Sequence, residues 1–426
     1  MNKGVVLLLG LLTVALGLTA CGGGGGGSEE QVKIGVVGPM SFVQGEHHWY
    51  GAKMAADEIN AAGGIKVGDK TLKIKLVKVD TNEMNSVQDA ASAAEKALTV
   101  DDVDYLVGGF RSEAVLAMQE IAMDNKTLFL GAGASDPELC DRVKEDYDRF
   151  KYWFRVTPVN SNDLGRLDFL LLKMVGDQMK QELGIAKPKV AILAEKASWA
   201  DAIVDKGKGM LALLGMESVG EWRPSPTATD VSAELSAIER SGAQIIFTSF
   251  SGPVGIPYAR RWGELKIPAA SVGINVEAQK QGFWDATGGK GDYEMTLNTY
   301  AAVKMSPRTI PFVEKFVKET GELPTYNAGT YEAVYLLKEA IEKAGAVESE
   351  KLIPVLEDMQ YETPSGKIVF TETHDVTWGP GFVTGIGVQW QNGDVKCVWP
   401  LNWEGVTYEG AVKYQIPPWV VEKWKQ

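Results

Sequence analysis

The chain has 426 residues, 45% of them apolar and 9% aromatic, with 56 acidic against 43 basic side chains and a net charge of −13. Its length exceeds one ordinary core and fits two domains, while its apolar content excludes a disordered chain. The acidic balance argues against nucleic acid or anionic lipid as partners, because both are held by basic patches.

Behind Lys3, residues 5–18 form an apolar run, about 14 residues where a membrane-spanning helix needs about 20. Leu18-Thr19-Ala20-Cys21 and six glycines follow. A basic start, a short apolar segment and small residues before a cut site predict an export signal over residues 1–20. The cysteine after Leu-Thr-Ala resembles the lipobox of bacterial lipoproteins, which implies lipid attachment at Cys21; an ordinary signal peptide with an incidental cysteine is the alternative. Residues 21–31 then read as a flexible tether. The mature chain is expected outside the cytoplasm, meeting the membrane only through this anchor. Cys140 and Cys397 remain; two cysteines do not complete a structural zinc site, and a disulfide or two buried thiols are both open.

From residue 32 onward, short β-rich runs alternate with helical stretches. Strands are predicted at 33–37, 72–79, 104–107 and 127–130, with helices at 50–62, 86–98 and 112–123 between them. After a pause at 152–158 the alternation resumes: helix 160–180, strand 189–193, helix 199–214, then 217–222, 231–241, 244–249, 255–263 and 269–272. Strand followed by helix at a regular repeat predicts a parallel sheet with helices on both faces, and its recurrence predicts two such lobes. Helices at 310–319, 330–344 and 349–359 follow, and short antiparallel strands at 367–370, 384–390 and 395–399 close the chain.

Catalytic signatures are missing: there is no G-x-S-x-G elbow, Walker loop or H-E-x-x-H, so neither an enzyme nor a cofactor or metal is expected. Gly131-Ala132-Gly133-Ala134 lacks the third glycine of a dinucleotide loop, and Pro137 stands where the helix would run. His47 and His48 point about 100° apart on a helix and are expected at the surface or the cleft rim. Two loops stand out, 108–112 and 131–137. Both leave the carboxyl ends of parallel strands, where open α/β sheets bind ligands, and glycines there let backbone N–H groups approach an anion.

Ile34-Gly35-Val36-Val37-Gly38-Pro39, Gly51-Ala52 and Asp57-Glu58-Ile59-Asn60-Ala61-Ala62-Gly63-Gly64-Ile65 resemble the opening of the leucine/isoleucine/valine-binding proteins. Residues 131–139, Phe154-Arg155-Val156-Thr157-Pro158 and Thr330-Tyr331-Glu332-Ala333 match that family's pattern in order. These are type I periplasmic solute-binding proteins of ABC importers. The resemblance implies two α/β lobes that close by a hinge over a small molecule and deliver it to ABC permease subunits. It puts lobe 1 at 32–157 plus 296–362 and lobe 2 at 158–295 plus 363–426, with chain crossings near Thr157, between 288 and 296, and near Thr363. The implied ligand contacts are Ser112 or Glu113, Ala134 and Ser135 for a carboxylate. Trp199, Phe250 and Tyr326 would cover the apolar part, with Phe42 or Gln44 in the first loop.

One position departs from the family pattern. The carboxylate for an amino acid's ammonium would fall at Asn275, in Gly273-Ile274-Asn275-Val276-Glu277, where a neutral amide replaces an ion-pair partner. Arg111 adds a cation to the carboxylate-facing loop. The expected ligand is an amino acid or a related small carboxylate; an aromatic acid or amide, or a sensory rather than import role, are the alternatives.

Overall fold

The computed structural model describes residues 30–425; the expected export signal, Cys21 and nearly all of the expected tether lie outside them. Gln31–Gly38 (β1), Ile65–Val67 (β2), Lys70–Asp80 (β3), Tyr105–Gly108 (β4), Phe129–Ala132 (β5) and Trp153–Thr157 (β6) form one sheet in the order β2-β3-β1-β4-β5-β6. All neighbours are parallel except β2 with β3. β1 carries Ile34, Val36 and Val37 with no appreciable exposure, as a parallel strand covered on both faces requires. Lys189–Ala194 (β7), Glu217–Trp222 (β8), Ile245–Phe250 (β9) and Ala270–Asn275 (β10) form a second parallel sheet, ordered β10-β9-β7-β8. Met295–Asn298 (β11) joins the late chain in an antiparallel sheet with Ile386–Gln391 (β14) and Asp394–Trp399 (β15), while Gln360–Thr363 (β12) and Gly366–Val369 (β13) make a hairpin.

Three crossings join the lobes. β6 lies in the first sheet, whereas the Ser161–Leu183 helix buries Leu167, Leu171 and Leu172 in the second lobe's core. β11 belongs with β14, but Tyr300 packs against Met54 and Phe312 of the first lobe. The third crossing falls at 384–385 rather than near Thr363. The hairpin and the loop after it stay on the first core, burying Ile368, Phe370, Val376 and Val383 there.

The Val43–Ala61 helix starts seven residues before the expected position. Its first turns carry polar side chains, which hid the helical period, yet Gln44, His47 and His48 are buried there. The two histidines are therefore not at a surface or a rim. His48 Nε2 pairs with the Ala132 carbonyl at 2.8 Å, and His47 Nδ1 accepts from the Thr325 N–H at 3.1 Å. Burial pulls their pKa values down to about 4 and about 3, so both are neutral struts. Cys140 and Cys397 are unbonded thiols buried in separate cores.

Candidate functional site

Both parallel sheets reverse their strand order once, and an open α/β sheet leaves a crevice at that reversal. In the first sheet the chain goes from β1 to β3 on one side and then to β4 on the other. In the second it goes from β7 to β8 and then to β9. The two crevices face each other across a cleft that holds a cavity of about 290 Å³. Its walls are the loops after β4, β5, β7, β8 and β9, and the three crossings contribute Thr157, Thr299 and Gly385.

On the first lobe, Gly109 (φ 81°) turns the chain after β4 in a conformation that disfavours a side chain. Its carbonyl lies where a Cβ on Gly133 would sit, at 2.3 Å, so the two glycines let the 109–112 and 133–136 loops touch. Behind them Glu83 is fully buried and accepts the N–H groups of Arg111 (2.9 Å) and Phe110 (3.2 Å) and the hydroxyl of Thr81 (3.0 Å). Desolvation, opposed by these donors, pushes its pKa up to about 7. Those backbone donors are thus spent on shaping the loop. The groups left for a ligand are the Arg111 guanidinium and the hydroxyls of Ser112, at the start of the Ser112–Asp124 helix, and Ser135. Ser161 gives its proton to the Ser135 carbonyl at 2.9 Å, so in the 3.2 Å contact between the two hydroxyls Ser135 is the donor, a bond its proton would exchange for one to a ligand. A helix start with two hydroxyls and a guanidinium is a setting for an anion.

On the second lobe, Glu195 follows β7 and is fully buried. It accepts the Ser251 and Gly252 N–H groups, each at 2.9 Å, the Trp199 indole N–H at 3.0 Å and the Ser251 hydroxyl. This carboxylate ties the loop after β7 to the loop after β9 across the strand reversal and holds the Trp199 ring against the cavity. Trp199 is 8% exposed and both lines the cavity and packs in the second core. Tyr326 stacks on Phe110 with ring centroids 6.5 Å apart. Its phenol stays protonated, since burial and the Glu195 charge both raise its pKa.

Of the residues expected from sequence, Arg111, Ser112, Ser135, Trp199 and Tyr326 share this cavity, as does Glu113. Ala134, Phe250 and Asn275 do not line it. The Ala134 carbonyl faces the buried Arg155, and Phe250 packs against Tyr258 with centroids 5.1 Å apart. Asn275 is fully buried and donates to the Gly255 carbonyl (3.2 Å) and to Glu294 (3.1 Å), so it braces the second lobe rather than meeting a ligand. Gln44 reaches across the cleft to the Ser251 carbonyl at 3.3 Å instead of lining it. Glu83, Glu195 and Gln279 escaped the sequence reading. For Glu195 a signal existed: a carboxylate directly after an apolar strand run, ahead of a tryptophan. Among the described residues no group of three or more His, Cys, Asp or Glu side chains gathers as a metal would need.

A family model for periplasmic binding proteins matches residues 31–391. An amino acid binding protein of Pseudomonas aeruginosa is 27% identical over 361 residues, 83% of this chain and 90% of that protein. The Leu/Ile/Val-binding protein BraC3 of Rhizobium johnstonii is 25% identical over 358 residues, 81% of this chain and 89% of its own. In fold, the chain matches the branched-chain amino acid transporter substrate binding protein LivJ of Streptococcus pneumoniae, solved in complex with isoleucine. The TM-score is 0.72 at 20% identity, over 87% of this chain and 100% of that one. An ABC transporter solute binding protein from R. palustris, solved in complex with benzoate, matches with TM-score 0.69 at 18% identity, over 86% and 95% of the two chains.

Proposed function

The chain belongs to the periplasmic binding protein family, and we propose that it captures a small carboxylate, an amino acid or a related acid, between its lobes and presents it to the permease of an ABC importer. The observation that carries this reading is the cavity of about 290 Å³ between two lobes joined by three crossings. That volume suits one small molecule. Arg111, Ser112 and Ser135 would hold the carboxylate by charge-assisted hydrogen bonds, and Trp199, Tyr326 and Phe110 would enclose the apolar part. Capture proceeds by hinge closure: Gln44 to Ser251, and Ser198 to Glu113 (3.3 Å) and Asp136 (3.4 Å), are bonds that form only when the lobes meet. The aromatic wall also favours an aromatic acid as the cargo, in line with the benzoate in the R. palustris neighbour.

The export signal and the motif at Cys21 support a lipid-anchored, extracytoplasmic protein. A thermal-shift screen of amino acids and aliphatic and aromatic acids against the mature chain tests the binding reading. A ligand at a hundredfold excess over Kd adds about 2.7 kcal/mol to stability. Absence of a shift with every acid in the screen would reject it.

A further inference from the structure

A ligand in this cavity meets charges of both signs: the cations Arg111 and Lys196 and the carboxylates Glu113 and Glu195. The two carboxylates differ in what they have left to give. Glu195 is fully buried and receives four donors, which uses the roughly four acceptor positions of a carboxylate. Glu113, in the first turn of the Ser112–Asp124 helix, keeps 31% of its side chain exposed. It receives two donors, the Arg111 Nε–H at 3.2 Å and the Ser198 N–H at 3.3 Å. Desolvation opposes its ionisation, but backbone N–H donors and the Arg111 charge outweigh it and hold the carboxyl below its ordinary range, so it is an anion at neutral pH.

Arg111 and Glu113 thus stand side by side in the wall as a cation and an anion. Arg111 gives Nε to Glu113 and Nη1 to the Glu83 carbonyl at 3.5 Å, and among the described residues no acceptor meets its Nη2. An acid that takes Nη2, with Ser112 and Ser135 as further donors, brings its carboxylate beside that of Glu113. Two carboxylates sharing one guanidinium repel. An ammonium on the carbon next to the ligand's carboxylate removes the conflict. Glu113 has acceptor positions open to it, and an ammonium leaving water requires an anion. An α-amino acid carries its two charges in the same side-by-side arrangement, with the signs reversed.

We propose that the Arg111–Glu113 pair recognises a zwitterion, with Glu113 as the partner of the ammonium, and that the ligands of this site are α-amino acids rather than simple acids. The inference rests on the carboxylate-binding reading above. It moves the ammonium's partner to the first lobe from the second, where Asn275 is neutral and committed to Gly255 and Glu294. Ser198 is the first residue of the second-lobe Ser198–Leu213 helix, so an amino acid held by Glu113 lies at a contact through which the lobes meet.

The experiment is calorimetry of the mature chain with matched pairs that differ only in the ammonium: leucine against 4-methylpentanoate, phenylalanine against 3-phenylpropionate, and any other hit of the thermal-shift screen against its counterpart. In a pair that binds, the amino acid should bind about ten- to a hundredfold tighter than the acid, the worth of one hydrogen bond between charged groups. Glu113→Gln removes the charge and keeps an acceptor oxygen for the Ser198 N–H. It should bring amino acid and acid within about threefold of each other, with the acid bound no more weakly than by the wild type. Acids bound by the wild type as tightly as amino acids would overturn the inference. So would an amino-acid preference intact in Glu113→Gln, or equal weakening of both compounds, which marks a merely structural role. Each of these leaves the carboxylate reading standing, whereas failure of every amino acid and acid in the screen would remove both. The wild-type comparison needs no substitution, so the ligand class is decided even where the variant does not fold.

Discussion

Replacing Trp199 with alanine removes a wall of the cavity, and the cost can be worked from its surroundings. A tryptophan side chain buries about 150–250 Å², which at about 25 cal/mol per Å² corresponds to about 4–6 kcal/mol. Only part of that belongs to the ligand. One side of the ring faces the cavity, and the rest packs in the second core with its N–H on Glu195. Assigning half to the ligand gives about 2–3 kcal/mol, a rise in Kd of about 30- to 150-fold. Trp199→Phe keeps most of the apolar face and loses only the N–H. Glu195 retains its three other donors, so this variant should lose about 1.5–3 kcal/mol of stability, the worth of one hydrogen bond to a charged acceptor, and far less affinity than Trp199→Ala. Isothermal titration with whichever acid binds best, beside the unfolding midpoint of the unliganded variants, separates binding from folding. Affinity within about threefold of wild type for Trp199→Ala would show that the indole belongs to the core alone.

Gly329 abuts the first crossing: a Cβ there would lie 1.9 Å from Thr157 Oγ1, which donates to the Tyr326 carbonyl at 2.8 Å. Gly329→Ala should therefore cost about 1–3 kcal/mol of stability and displace Tyr326 from the cavity; adding Thr157→Ala should recover part of the midpoint, and no recovery would reject the contact as the cause. Asp168 is fully buried with both oxygens unpartnered, and desolvation holds its pKa well above the ordinary 3.8. The folded protein then binds more protons than the unfolded chain above about pH 4, so stability falls as pH rises from there through the folded pKa, by about 1.4 kcal/mol for every tenfold by which folding tightens the carboxyl's hold on its proton. Asp168→Asn should raise the midpoint more at pH 8 than at pH 4, and an equal change at both would refute this. Cys21→Ser should move the protein from the membrane fraction to the soluble one without altering its unfolding; retention on membranes after a high-salt wash would reject the anchor.

Much of the fold was legible because it rests on local periodicity. Apolar β-rich runs such as 33–37 and 244–249, separated by helical stretches, predict parallel sheets wherever they lie in space, and the strand ends mark where a ligand can bind. The loops at 108–112 and 131–137 were visible for the same reason, through glycines at strand ends. The expectation of an export signal, and of lipid attachment after Leu-Thr-Ala, rests likewise on consecutive residues.

What the linear pattern left open were matters of direction and of distant partners. Asn275 and Gln279 sit four positions apart at the end of one strand; one turns into the second lobe and the other lines the cavity, and only the packing of that strand and the turn after it against residues 294–297 decides which. The first core keeps Ile368 to Val383 because their apolar side chains find a place under its sheet, which moved the third crossing from near Thr363 to 384–385. His47 and His48 read as surface residues because polar side chains interrupt the helical period, yet in the interior each ring finds one partner, the Ala132 carbonyl for His48 and the Thr325 N–H for His47. The commitment of Glu195 to four donors likewise needed the loop after β9 to be brought against the loop after β7. Sequence alone thus determined which segments form strands and helices and where the sheets open, since those follow from a residue and its near neighbours. Which polar groups remain free to meet a ligand was decided by tertiary structure, because a hydrogen bond between residues 195 and 251 exists only once the sheet has assembled.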